Sequence, residues 1–136
     1  MFFEEMEVGK VYKSDSYKTI TESEIDLVAQ LAGLDLPGFL DPEAAKGWGF
    51  KDRVTPGPYI FGCGVGLMAK QGFLADAVLV HVDDLSFQTP VFPRDKIKAE
   101  TEVVSKKPSK RGGGRVSYKF KVFNQHDQVV LEAVNT

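Results

Sequence analysis

Gly57-Pro58-Tyr59-Ile60-Phe61-Gly62-Cys63-Gly64-Val65-Gly66-Leu67-Met68-Ala69-Lys70-Gln71 is the stretch on which the reading of the fold turns. Pro58 suits a first helical turn, where no backbone amide is required. Large apolar residues then fill most positions as far as Met68. A segment that is apolar nearly all round predicts a buried helix rather than a surface one. Gly62, Gly64 and Gly66 would each cost an exposed helix roughly 1 kcal/mol relative to alanine, so their presence predicts that a neighbouring backbone passes close by.

A buried helix needs a dry surface around it, and the C-terminal half supplies one. Val78–Val82 running on into Leu85–Val91 reads as one long strand. Lys96–Val104 alternates, with Ile97, Ala99, Thr101 and Val103 against Lys98, Glu100 and Glu102. Arg115–Phe123 sets Val116, Tyr118, Phe120 and Val122 on one face, and Gln128–Val134 follows the turn Asn124-Gln125-His126-Asp127. Each strand has one wet face and one dry face.

Upstream of the helix the pattern is mixed. Val8–Ile20 predicts an early, irregular strand. Thr21-Glu22-Ser23-Glu24 is a capping box that opens a helix, with Ile25, Val28, Ala29 and Ala32 at helical spacing and an end near Gly33. Leu34–Leu40 is apolar but broken by Pro37 and Gly38, which predicts a loop with apolar side chains. Asp41 as N-cap and Pro42 at the first helical position open a short helix through Ala45, closed by Gly47 and Gly49. A central apolar helix wrapped by a curved antiparallel sheet buries both, which gives an α+β architecture in one domain over residues 1–136.

Composition narrows the function. The 136 residues are 43% hydrophobic and 26% charged, with a formal charge of −2, which gives no reason to expect a nucleic-acid or acidic-membrane partner. Cys63 is the single cysteine, so neither an internal disulfide nor a cysteine-based zinc site can form in one chain. The two histidines leave no metal centre to expect. The N-terminal residues lack a signal-peptide pattern and no apolar run reaches the ~20 residues that span a bilayer, so a cytoplasmic protein with no membrane partner is expected.

The order of elements and several local motifs resemble the MaoC-like family of dehydratases and (R)-specific enoyl-CoA hydratases, which have a hot-dog fold. Thr21-Glu-Ser-Glu-Ile25 with Ala32-Gly33 is similar to the family's first helix. Pro37, Asp41-Pro-Glu-Ala-Ala45 and Gly49-Phe50 are similar to its active-site loop and short helix, and Val54-Thr-Pro-Gly57 to the approach to its central helix. Leu85-Ser-Phe-Gln-Thr-Pro-Val91 with Asp95, and Asn124-Gln125, are similar to its strand motifs. The resemblance implies an acyl thioester as ligand, carried on coenzyme A or a carrier's pantetheine, with no other cofactor. It also implies a homodimer, or a heterodimer with a related hot-dog subunit.

The departures bear on chemistry. The family loop reads Gly-Asp-x-Asn-Pro-x-His-x-Asp, and its first Asp and its His form the catalytic pair. Anchored on Gly33, Pro37 and Asp41, those two positions hold Leu34 and Phe39 here, Leu36 replaces the Asn, and the family's Thr-His-Gly is Thr55-Pro56-Gly57. Hydrating a 2-enoyl thioester needs a base for water, an acid for the α-carbon and donors for the developing oxyanion. Leu34 and Phe39 supply neither acid nor base, and each loss typically costs ~10²–10⁴ in rate. The amides at Gly57 would still favour negative charge on a carbonyl oxygen, and Leu34, Leu36 and Phe39 would make a drier site for an acyl chain. The expected protein therefore binds an acyl thioester with impaired turnover, by itself or as partner of an active subunit. The alternatives are a hydratase using a non-standard residue and an acyl-CoA thioesterase.

Asp35, one step from the family aspartate, is a candidate base, or else a solvent-facing carboxylate. His81, read on the strand face of Leu79, Asp83, Leu85 and Phe87, is a candidate acid or base, or else an edge histidine. His126 is expected at the surface. Cys63 is a candidate thioester nucleophile, though buried cysteine is ordinarily inert packing. Lys106–Arg115 forms a basic hairpin loop that would attract phosphates, or else a solvated turn.

Overall fold

The computed structural model describes residues 1–73 and 76–136. After a 3-10 turn at Phe3–Glu5 come β1 (Val11–Lys13), β2 (Lys18–Thr19), α1 (Glu22–Ala32), α2 (Pro37–Leu40), α3 (Pro42–Gly47) and α4 (Gly57–Ala69). Strands β3 (Val82–Phe87), β4 (Lys96–Pro108), β5 (Gly114–Asn124) and β6 (Val129–Asn135) complete the chain. The sheet runs β1-β4-β5-β6-β3, β2 also pairs with β4, and the pairings are antiparallel. This is the α+β architecture expected from the sequence, and α4 lies against the β4–β5 side of the sheet.

Ile97, Ala99, Thr101 and Val103 of β4 meet Tyr118, Phe120, Val122 and Asn124 of β5 on the inner face, and all eight are buried. Leu131, Ala133 and Asn135 of β6 continue that face. Ile60, Gly64, Leu67 and Met68 are the buried stripe of α4. Each large apolar side chain so removed from water contributes about 1.5–3 kcal/mol.

Three expectations need correcting. Residues 34–40 are not all loop, because Pro37 starts a one-turn helix whose end is closed by the Asp41 N–H bonding to Pro37 O at 2.8 Å. The predicted long strand over 78–91 shrinks to Val82–Phe87. Of Gly62, Gly64 and Gly66 only Gly64 is closely approached, and by side chains: an added Cβ would lie 2.5 Å from Val122 Cγ2 and 2.7 Å from Phe120 Cζ. Gly62 and Gly66 have nothing within 4 Å of that position.

The β3 strand also changes phase. Val82 and Asp83 pair with Asn135 and Val134, whereas Ser86 and Phe87 pair with Glu132 and Leu131, so one extra residue enters β3 between Asp83 and Ser86. Asp84, with φ of 54°, absorbs it. No described helix is long and apolar enough to cross a membrane.

Candidate functional site

The start of α4 is built by its sequence to expose one backbone donor. The first four amides of a helix lack internal partners, but Pro56 and Pro58 have no N–H. The amides of Tyr59 and Ile60 turn back onto Pro56 O at 3.1 and 3.3 Å. The Gly57 N–H remains without a protein acceptor among the described residues. Thr55 anchors the approach: its N–H and its hydroxyl both donate to Val91 O, each at 2.9 Å.

Gly57 opens into a cleft of 420 Å³ whose apolar walls include Phe50, Val54, Ile60, Phe87 and Val130. The polar side chains on it are Thr55, Gln88 and Thr89. Both threonine hydroxyls are committed to backbone carbonyls, Thr55 to Val91 O and Thr89 to Val129 O at 2.8 Å. Among the described residues no ionisable side chain lines the cleft. A Cβ on Gly57 would lie 2.7 Å from the Phe87 ring, so a larger residue at its head would displace that ring.

The loop bearing Leu34 and Phe39 is clamped beside this cleft. Arg53 is buried, and its Nε donates to Phe39 O at 2.8 Å while its Nη2 pairs with Asp26 of α1. Val54 N–H bonds to Gly38 O at 3.2 Å. Phe39 meets Trp48 edge-on, with ring centroids 5.5 Å apart, and Gly38 lets the indole approach until a Cβ there would be 2.1 Å from it. Leu34 is half-buried, with its N–H on Ala29 O at 2.8 Å. Leu34 and Phe39 thus stand on the neighbouring loop, and the walls of the cleft itself come from other residues.

Asp35 is exposed in that loop. His81 is exposed too, in a two-way backbone pair with Thr136. The bulge at Asp84 breaks the alternation on which its reading relied. His81 keeps the phase of Asp83, which pairs with outward Val134, whereas Phe87 pairs with inward Leu131. His81 and Phe87 therefore occupy opposite faces of the sheet.

A polar cluster joins α1 to α4 on the far side of the helix. Glu24 Oε2 accepts from Lys18 Nζ at 2.8 Å and from the Tyr59 hydroxyl at 2.5 Å, while Glu24 Oε1 accepts from Thr21 N–H at 2.5 Å. Burial pushes the Glu24 carboxyl up, but these hydrogen bonds and the Lys18 charge outweigh it and hold the group below its ordinary value. Burial raises the Tyr59 hydroxyl, as does its bond to Glu24. Burial likewise raises the Cys63 thiol, which keeps it protonated and a poor nucleophile.

Sequence patterns alone did not reveal Arg53, Asp26 or Trp48. Arg53 sits in an aperiodic stretch, and its partners lie 14 and 27 residues away. The Asp95 and Gln125 motifs do converge: Gln125 Nε2 donates to Asp95 Oδ1 at 2.8 Å and its Oε1 accepts from Lys96 N–H at 3.1 Å.

An antiparallel sheet around an apolar helix, with a cleft at that helix's N-terminus, defines a hot-dog protein. Residues 4–122 match the model of the MaoC like domain, and the chain belongs to that family. Among solved structures it is similar to a monoamine oxidase regulatory protein from Archaeoglobus fulgidus, at 30% identity and a TM-score of 0.85, over 99% of this chain and 91% of that one. It is similar also to an (R)-hydratase from A. caviae involved in PHA biosynthesis, at 23% identity and a TM-score of 0.81, over 97% and 96% of the two chains. A Mycobacterium tuberculosis protein described as having a double hot-dog fold shares 16% identity with a TM-score of 0.84, and this chain covers 99% of itself and 42% of that protein.

Proposed function

We propose that this protein binds an acyl thioester, on coenzyme A or on a carrier protein's pantetheine, and holds it without hydrating it. In this reading it works as one half of a pair with a second hot-dog domain, either another copy of itself or a related subunit. The observation that carries the reading is a cleft that keeps a backbone donor at Gly57 and has no ionisable wall. A thioester carbonyl can dock on the Gly57 N–H at the positive end of α4. Water beside it meets no base, and the α-carbon meets no acid.

The pairing is supported by the free edge of the sheet. All six residues of β3 are exposed, and Val78, Val80, Val82, Leu85 and Phe87 put apolar side chains there. An open apolar edge of this kind is a site for strand pairing. A chain holding two hot-dog domains provides a fold-level precedent for covering it with a second domain.

The test is to titrate the protein with butyryl-CoA by calorimetry and to follow crotonyl-CoA by the loss of its enoyl absorbance. Binding without hydration is the expected result. Hydration by the purified chain would make it an enzyme, release of free thiol would make it a thioesterase, and absence of binding would remove the reading altogether. Leu34→Asp with Phe39→His in one variant should introduce measurable hydration. Its absence despite retained binding would mean that the two positions do not face the bound acyl group.

A further inference from the structure

The cleft at Gly57 holds a polar group that the docking of a carbonyl leaves unused. The Thr55 and Thr89 hydroxyls donate to Val91 O and Val129 O, so neither has a proton left for a ligand. The Gly57 N–H is a donor without a protein acceptor among the described residues. The remaining polar side chain on the cleft is Gln88, which is exposed.

Gln88 is the first residue past β3, yet its backbone is firmly held. Its N–H donates to Val130 O at 2.8 Å, the Thr89 N–H reaches the same oxygen at 3.3 Å, and the Thr89 hydroxyl adds its bond to Val129 O at 2.8 Å. These bonds to adjacent carbonyls of β6 fix the point from which the Gln88 side chain projects. The side chain itself is nearly free. Its Nε2 donates to Ser86 Oγ at 3.4 Å, longer than an ordinary N–H···O bond. That contact turns the amide nitrogen toward Ser86, and Oε1 has no partner among the described residues. A carboxamide with its nitrogen turned to the protein offers an acceptor to whatever occupies the cleft.

The cleft therefore presents a donor at Gly57 and an acceptor at Gln88. A thioester group uses only the first, because neither its carbonyl nor its sulfur has a proton to give. The arm on the far side of the sulfur does have one. In coenzyme A and in a carrier's pantetheine alike, two methylenes lead from the sulfur to a secondary amide, whose N–H is a donor. Resting on the thioester reading above, we infer that Gln88 is a specificity-determining residue: its Oε1 accepts the N–H of the arm's first amide while the Gly57 N–H holds the thioester carbonyl. Both contacts come from one chain. The recognised unit is an N-acylated cysteamine thioester, common to coenzyme A and a carrier, so Gln88 sets both apart from thioesters of plain thiols.

Two ligands that differ at a single position test the assignment. S-butyryl-N-acetylcysteamine carries the amide N–H. In O-acetyl-S-butyryl-2-mercaptoethanol an ester oxygen takes its place, which keeps the length and turns the donor into an acceptor. Titrated by calorimetry, the wild type should bind the ester about tenfold more weakly, since Gln88 Oε1 then faces a second acceptor. Gln88→Met keeps the reach of the side chain without the acceptor and should bind the two ligands equally. Gln88→Glu retains an acceptor and should keep the preference for the amide, which a structural role for residue 88 would not produce. A preference of the same size in the wild type and in Gln88→Met overturns the inference, as does equal binding of both ligands by the wild type. Binding of butyryl-CoA with neither short ligand bound would place recognition beyond the amide and overturns it too. If the wild type binds none of the three, the thioester reading itself falls and takes the inference with it.

Discussion

Glu24 shows how one side chain can serve two levels of structure. It closes the capping box of α1 through the Thr21 amide, and it ties that helix to α4 through Tyr59 and to β2 through Lys18. Its carboxyl is held below its ordinary value of 4.5, so the anionic form is preferred in the folded state. The stability it adds is complete above that ordinary value and is lost as the pH falls through the lower folded value. Thermal melts from pH 6 downward should therefore show an acid limb that Glu24→Gln flattens. The box itself was legible, because both ends lie within four residues; the Tyr59 contact was not, since it joins positions 35 apart.

Gly38 is a second case at this scale. Trp48 is the single tryptophan, packed on Phe39 and over Gly38. Gly38→Ala should push the indole off the loop, with a change in tryptophan emission wavelength and a stability loss of about 1–3 kcal/mol in urea. Unchanged emission would show that the indole does not occupy that position in solution. Leu34 and Phe39 are singled out by counting from Gly33 and anchoring on Pro37 and Asp41, but the buried Arg53 that holds their loop has no periodic or motif signature in the sequence.

Among the elements, α4 separates two reasons for a helical glycine. Gly64 faces Val122 and Phe120 with no room for a methyl group, so Gly64→Ala should destabilise by about 1–3 kcal/mol. Gly62 and Gly66 face open space, and alanine at either should stabilise by about 0.5–1 kcal/mol through helix propensity alone. Equal effects at all three positions, measured by chemical denaturation, would contradict this division. The sequence announced the helix clearly because its apolar content admits no other solvation. It could not say which glycine meets a neighbour, because that depends on the register of α4 against β5.

Strands β4 to β6 were equally legible from alternation, apart from ends that ran a few residues longer. Prediction failed at β3, where Asp84 adds one residue and changes the phase. An aspartate can take a positive φ at modest cost. Nothing in Val82-Asp83-Asp84-Leu85 marks which residue will do so, and the face of His81 was misread for that reason.

For the whole molecule, the exposed β3 edge makes association the central question. In the paired arrangement proposed here, Leu85→Lys should place a charge at the middle of that edge and shift the mass seen by light scattering from two chains to one. Retention of the larger mass would move the contact to another surface.

The pair of prolines around Gly57 carries a lesson for anyone trying to evolve turnover in this scaffold. Changing Leu34 and Phe39 delivers proton donors and acceptors, yet Pro56 still withholds the neighbouring N–H that a second grip on a charged oxygen would use. The adaptive route is therefore a plateau with no rewarded first step. A library varying positions 34, 39 and 56 together should succeed where sequential single-site selection stalls.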